Sequence, residues 1–229
     1  MSRNIPTARA NPSGSYVKLA ATLCLVISVG ALLYHFAFGG RQMPELRQFG
    51  SVGEFAAEEA AKVIGKSGRV VVAYDIYDPK TGGADAGKAF AEQGVQAAAF
   101  RKRLAKLGTY AFASDWKIPR PNLVFRSVWP EGNFARLLSA NPSETTIVLF
   151  ANPPAFTQDE KSRLLSRPGK LIVLGGVLPE VQGLAKEKVA HLVVASRFPV
   201  PPPSKKQETE REVTERVYAV VTPETVGQR

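Results

Sequence analysis

The chain is poor in the residues that many metal sites and nucleophilic enzymes require. Its 229 residues include one cysteine and two histidines. The cysteine, Cys24, lies in an apolar N-terminal run, which excludes an intrachain disulfide, a cysteine nucleophile in a folded domain and a CxxC metal site. The same counts exclude a metal site built from several His or Cys ligands, and no cofactor is predicted.

Histidine catalysis has equally little support. Outside the N-terminal run the only histidine is His191, which we predict in the middle of an apolar strand as a core residue. A Ser-His-Asp triad would have to use it, and no Gly-x-Ser-x-Gly turn is present. These absences point away from an enzyme, although carboxylate or lysine chemistry stays open.

Acidic residues are absent from the first 40 positions, where Arg3, Arg9 and Lys18 precede an uncharged apolar run at 19–38. As a helix this run spans about 30 Å, the thickness of a bilayer's hydrocarbon core. We predict a single transmembrane helix that acts as a signal anchor and contacts membrane lipid. The basic N-terminus, 1–18, would then be cytoplasmic and the remainder extracytoplasmic, or periplasmic in a Gram-negative bacterium. A cleaved signal peptide is the alternative.

Basic residues also outnumber acidic ones beyond this segment. Three of the 30 Lys and Arg residues precede residue 40, which leaves 27 against 20 Asp and Glu and a net charge of +7. Such a surface suits anionic lipid, an acidic partner or an anionic ligand, or it only keeps the protein soluble. The basic stretch 100–106 could contact lipid headgroups. No nucleic-acid-binding motif is present, and nucleic acid is not predicted as a partner.

The rest of the chain alternates short apolar runs with helical patterns. We predict a tether at 39–50 and one extracytoplasmic α/β domain at 51–197, which opens with a capping box at Ser51 and Glu54. Strands are predicted at 69–74, 109–113, 145–151, 170–176 and 190–196, and helices at 51–64, 88–107, 131–140, 157–166 and 179–188. This alternation predicts a mostly parallel sheet of five or six strands between helices, a three-layer flavodoxin-like or Rossmann-like architecture. It is similar to one lobe of periplasmic-binding proteins, without a shared residue motif.

The C-terminal part has a different composition. Residues 198–214 begin with prolines and continue as a charged segment without a core pattern. Residues 215–229 recover strand character at 215–223 and end in a tail, which predicts an added edge strand.

Ligands of open α/β sheets bind at the carboxyl ends of the strands. Five loops are predicted there, at 75–87, 114–130, 152–157, 175–179 and 197–203. Their aromatic and charged residues are candidates for contacting a ligand or partner: Asp75, Asp78, Trp116, Arg120, Trp129, Phe156 and Arg197. A purely structural role is the alternative, since long loops also use prolines for stiffness and bury aromatic rings.

The aspartates of the first of these loops suggest a second chemistry. Asp75, Asp78 and Asp85 could gather around Mg²⁺, which prefers oxygen ligands. However, Asp75 and Asp78 do not form an Asp-x-Asp pattern, and the loop "GGADAGK" is neither a Gly-x-Gly-x-x-Gly motif nor a P-loop. The aspartates and glycines are also typical of a turn followed by a helix N-cap.

Three functional hypotheses follow from the sequence. The first is a binding, scaffold or accessory subunit of a membrane assembly with a protein partner. The second is a small-ligand sensor or carrier domain. The third is a divalent-metal-dependent enzyme that uses Asp75 and Asp78.

Overall fold

A computed structural model describes residues 44–77, 86–120, 129–205 and 207–226. The predicted membrane segment at 19–38, the N-terminus at 1–18, and Asp78 and Asp85 lie outside these residues. No helix in the described ranges has both the length and the apolar character of a membrane span. The fold below is that of the unit Leu46–Arg229.

One seven-stranded sheet organises the described part of the chain. Its order is β2–β1–β4–β5–β6–β7, and β3 pairs with β1 on the side that β2 also occupies. All strand pairs are parallel except β6 with β7. The strands are β1 (Ser67–Tyr77), β2 (Thr109–Phe112), β3 (Trp116–Arg120), β4 (Thr146–Phe150), β5 (Leu171–Val177), β6 (Leu192–Ser196) and β7 (Tyr218–Val221).

Helices cover both faces of this sheet, which confirms the predicted α/β architecture with a mostly parallel sheet. The helices are α1 (Pro44–Ile64), α2 (Ala86–Leu107), α3 (Asn133–Ala140), α4 (Gln158–Ser166), α5 (Leu178–Lys186) and α6 (Glu210–Val217). Alternate strand residues point to two hydrophobic cores. One core contains Leu137, Leu164 and Val181 from α3, α4 and α5, and the other contains Phe55 and Phe100 from α1 and α2.

The predicted start of the first helix is wrong. Helix α1 begins at Pro44, inside the segment predicted as a tether, so Ser51 lies within the helix and does not cap it. Instead, the Ser51 hydroxyl contacts Thr214 Oγ1 on α6 at 3.1 Å. A capping box does begin α4, where Thr157 Oγ1 accepts from the Glu160 backbone N–H and the Glu160 carboxylate accepts from the Thr157 backbone N–H.

Strand β3 and helix α6 lie where the sequence predicts other structure. Strand β3 falls inside the predicted loop 114–130, and its Pro119 is tolerated because β3 is an edge strand. Helix α6 occupies part of the charged segment and ends only at Val217, which shortens the predicted C-terminal strand to β7. A capping box between Thr209 and Glu212 starts this helix, and an ion pair between Arg211 and Glu215 spans one of its turns.

His191 lies just before β6, at the amino edge of the sheet, and not in the middle of a strand as predicted. Its half-buried ring accepts a hydrogen bond through Nδ1 from the Leu171 backbone N–H at 3.3 Å. Burial, and to a smaller degree the charge of Lys170, holds the pKa of His191 below its ordinary value of 6.5, while Glu224 acts in the opposite direction. The ring is therefore a structural acceptor, remote from the carboxyl edge.

The lowered pKa of His191 predicts a pH dependence of folding. The unfolded chain binds a proton at this residue near pH 6.5, whereas the folded chain binds it only at lower pH. The free energy of unfolding should therefore be fully retained above pH 6.5 and fall as the pH drops through the folded pKa. His191→Gln should show a smaller decrease between pH 7.5 and pH 5 in urea unfolding, and an unchanged pH dependence would contradict the assignment.

Candidate functional site

The strand order places a topological switch point between β1 and β4. From β1 the chain moves outward to β2 and β3 on one side, and then returns to β4 on the other side. Crevices that bind ligands in open α/β sheets form at such a point, outside the carboxyl ends of the strands. The candidate site is therefore the edge where β1, β3 and β4 end.

A buried ion pair joins the ends of β1 and β3. The register pairs Asp75 with Ile118 and Tyr77 with Arg120, so Asp75 and Arg120 lie on one face as diagonal neighbours. Arg120 Nε donates to Asp75 Oδ1 at 2.7 Å, and the two side chains are 0% and 1% exposed. Arg120 is thus not an exposed loop cation, as the sequence suggests, but the neutralised last residue of a strand.

Helix α2 adds a third member to this pair. The Asp75 backbone N–H donates to Gln93 Oε1 at 2.8 Å, and Gln93 Nε2 lies 3.4 Å from Asp75 Oδ2. Sequence reasoning misses Gln93 because a single glutamine in a helix carries no motif. Only its position could have indicated Gln93, because the helix that follows β1 begins at the carboxyl edge of the sheet.

An aromatic cluster lies directly against the ion pair. The Arg120 guanidinium carbon is 5.6 Å from the centroid of the Trp129 ring, and Trp129 Nε1 donates to the Asn152 carbonyl at 2.7 Å. Trp129 also contacts Phe134 edge-on at 5.6 Å between centroids, and Phe134 contacts Phe156 at 4.8 Å. Two predicted site residues, Trp129 and Phe156, are therefore linked through Phe134.

A cavity of about 340 Å³ opens beside this cluster, and we call it the aromatic pocket. It combines ring faces with carboxylate and hydroxyl oxygens, and no Lys or Arg of the described ranges lines it. Its principal lining residues are Trp129, Glu131, Phe134, Pro154, Thr157 and Glu160. Such a surface can stack against the apolar face of a small molecule and accept hydrogen bonds from its polar groups.

The remaining predicted site residues lie elsewhere. Trp116 Nε1 donates to Asn133 Oδ1 at 2.8 Å, which ties β3 to α3 outside the aromatic pocket. Arg197 follows β6 and lines a separate cleft with Pro201 and Arg216. Asp78 lies outside the described residues, where a magnesium site with Asp75 stays a prediction. Within the described ranges, no group of three or more His, Cys, Asp or Glu residues could hold a metal ion.

No family model and no curated protein matches the chain. Solved structures do share its fold. An ABC transporter solute-binding protein from Burkholderia graminis C4D1M in complex with D-arabinose is 14% identical, with a TM-score of 0.50, and the match covers 79% of this chain and 61% of that one. A sugar-binding protein of a sugar ABC transporter from Bacillus halodurans is 16% identical with a TM-score of 0.50, over 79% of this chain and 64% of that one. The chain therefore spans about three fifths of the length of these structures.

Proposed function

We propose that this chain is a membrane-anchored, extracytoplasmic binding domain that takes a small polar ligand in the aromatic pocket. The observation that carries the proposal is the buried ion pair of Asp75 and Arg120 beneath Trp129 at the switch point. The apolar run at 19–38 supplies the anchor and, through the basic residues before it, the orientation.

The ion pair acts through Trp129 and does not touch the ligand itself. Both charged side chains are buried, so their geometry is fixed, and the guanidinium lies against one side of the indole. The hydrogen bond from Trp129 Nε1 to the Asn152 carbonyl fixes the ring in its plane. Because the Trp129 ring is already held in place before the ligand binds, binding costs less conformational entropy.

The lining of the aromatic pocket favours an uncharged, hydroxylated ligand over an anion. Its volume of 340 Å³ falls within the range of small-molecule sites, roughly 300–1,000 Å³. Glu131 and Glu160 would repel an anion, and the charge of Arg120, which lies against Trp129, is neutralised by Asp75. Sugars offer an apolar ring face and hydroxyl donors. Of two solved proteins of the same fold, one is in complex with D-arabinose and the other is a sugar-binding protein.

Thermal unfolding of the full chain in lipid nanodiscs tests this proposal. Pentoses and hexoses would be compared with amino acids and small carboxylates, and a ligand present at 100 times its Kd should stabilise the fold by about 2.7 kcal/mol. Trp129→Leu should weaken sugar binding at least about tenfold, the loss of roughly 1.4 kcal/mol. Trp116→Leu is the matched control, because Trp116 lies outside the pocket. Equal binding by both variants, or no shift with any sugar, would contradict the proposal.

A second candidate function is that of a partner-binding subunit in a membrane assembly. Phe198 and Val200 are 78% and 43% exposed, and the prolines at 201–203 are exposed beside them. Arg216 Nη1 donates to the Pro201 carbonyl at 2.9 Å, which holds this segment to α6. Prolines restrict φ, so an extended segment of this kind docks on another protein at a low entropic cost.

Chemical crosslinking in native membranes tests the second function. The parent chain should form a defined crosslinked complex, and a variant carrying Phe198→Ser and Val200→Ser should lose it. A chain that stays monomeric throughout would count against a role as a subunit.

A further inference from the structure

A second cavity lies on the opposite face of the sheet from the aromatic pocket. It has a volume of 200 Å³ and lies between the carboxyl ends of β4, β5 and β6 and helices α1 and α2. We call it the diglycine cavity, because Gly175 and Gly176 form part of its wall. Its other principal lining residues are Val52, Gln96, Phe150, Val194, Ser196 and Tyr218, none of which lines the aromatic pocket.

The two glycines lie in an irregular part of β5. Leu174 pairs with Val194 and Val177 pairs with Ser196, so β5 contains one extra residue, a β-bulge. Gly176 has a φ of +77°, a conformation that residues with a Cβ rarely adopt, and a Cβ there would lie 2.7 Å from Val181 Cγ1. The bulge therefore depends on glycine and shapes the end of the strand beside the cavity.

Three uncharged polar side chains reach the wall of the diglycine cavity. Ser196 Oγ donates to the Gly176 carbonyl at 3.2 Å, which leaves its oxygen able to accept. Gln96 and Tyr218 make no side-chain hydrogen bond to another residue within the described part of the chain. Burial, reinforced by the charge of Glu92, raises the pKa of Tyr218, so its hydroxyl stays protonated and can donate.

We propose that the diglycine cavity binds a small uncharged molecule that carries hydroxyl or carboxamide groups on a short apolar skeleton. Gln96, Ser196 and Tyr218 together offer donors and acceptors, while Val52, Phe150 and Val194 offer apolar contact. Among the residues that the structure describes, no charged side chain lines the cavity, so an ion would lose hydration without gaining a counter-charge from them. An apolar cavity of about 150 Å³ can hold benzene, so 200 Å³ accommodates a molecule of similar size.

Saturation-transfer NMR on the full chain in lipid nanodiscs tests this site. The uncharged probes are butane-1,4-diol and butyramide, and the charged probes of matched size are butyrate and butylammonium. We expect transfer to the uncharged probes only. Gln96→Leu and Tyr218→Phe should each weaken their binding by about tenfold, because each removes a hydrogen-bonding group and conserves most of the side-chain volume.

Matched controls separate this site from general effects on the fold. Gln158→Leu on the exposed surface of α4 and Tyr110→Phe at the amino edge make the same chemical changes elsewhere and should bind the probes as the parent does. Trp129→Leu should also leave binding unchanged, because Trp129 lines only the aromatic pocket. Three results would overturn the proposal: no transfer to either uncharged probe, equal transfer to the charged probes, or parent-like binding by Gln96→Leu and Tyr218→Phe.

Discussion

Arg120→Met is expected to lower the free energy of unfolding by about 3–5 kcal/mol, the range observed when one partner of a buried ion pair is removed. Methionine fills much of the volume of arginine but cannot neutralise the Asp75 carboxylate, which is 1% exposed. The carboxylate would then lie in a low-dielectric environment without this counter-charge. Urea unfolding followed by tryptophan fluorescence measures the effect.

Two further variants give this prediction its controls. Arg103→Met removes an ion pair with Glu58 whose side chains are 37% and 27% exposed, and it should cost no more than about 1 kcal/mol. Combining Asp75→Leu with Arg120→Met removes both charges and should restore part of the lost stability. Similar costs for Arg120→Met and Arg103→Met would show that burial does not dominate the energetics of the Asp75 pair.

Gly53→Ala is expected to destabilise the domain by about 1–3 kcal/mol, the usual cost of overpacking a well-packed interior. A Cβ at Gly53 on α1 would lie 2.2 Å from the Gln96 carbonyl oxygen and 3.1 Å from Ala99 Cβ, both on α2. Because the nearest atom belongs to the backbone, one helix has to move. This cost should exceed the gain in helix propensity from glycine to alanine, which is about 1 kcal/mol.

Gly94→Ala is the matched control for Gly53→Ala. Gly94 also lies in a helix, but a Cβ built there meets no atom within 4 Å. The substitution should therefore stabilise the domain by up to about 1 kcal/mol through the lower entropy of its unfolded chain. Thermal unfolding of both variants should shift in opposite directions, and two shifts of the same sign would contradict the assigned contact.

Most of the sheet follows from the sequence because its strands are continuous apolar runs. The runs in β1, β4, β5 and β6 are rich in Val, Ile and Leu, a pattern typical of strands buried on both faces. Strand β3 lacks this pattern, because "WKIPR" is short, charged and contains proline, so it is not predicted as a strand. Its pairing with β1 supplies the stability that its own residues do not predict.

The candidate site is predictable in position but not in its contacts. The carboxyl-edge rule directs attention to Asp75, Trp129 and Phe156, and all three stay candidates for contacting a ligand. The burial of Arg120 is not predictable, because it depends on the register that places a carboxylate diagonally across from it. The contact made by Ser51 is equally unpredictable from the sequence. Its sequence pattern is that of a helix N-cap, and only the structure shows that its hydroxyl contacts Thr214.

The contacts between α1 and α6 affect how the domain folds during synthesis. Ser51 meets Thr214 across 163 positions of sequence, and Arg211 pairs with Glu58 while its guanidinium lies 4.6 Å from the Phe55 ring centre. A nascent chain that has emerged from the ribosome only as far as β6 already contains α1. It still lacks α6, the helix that packs against α1. Such a chain exposes apolar side chains while elongation continues, and this is the stage at which aggregation competes with folding. Completion of the domain therefore waits for its last helix, and a holding chaperone would be most useful during that interval.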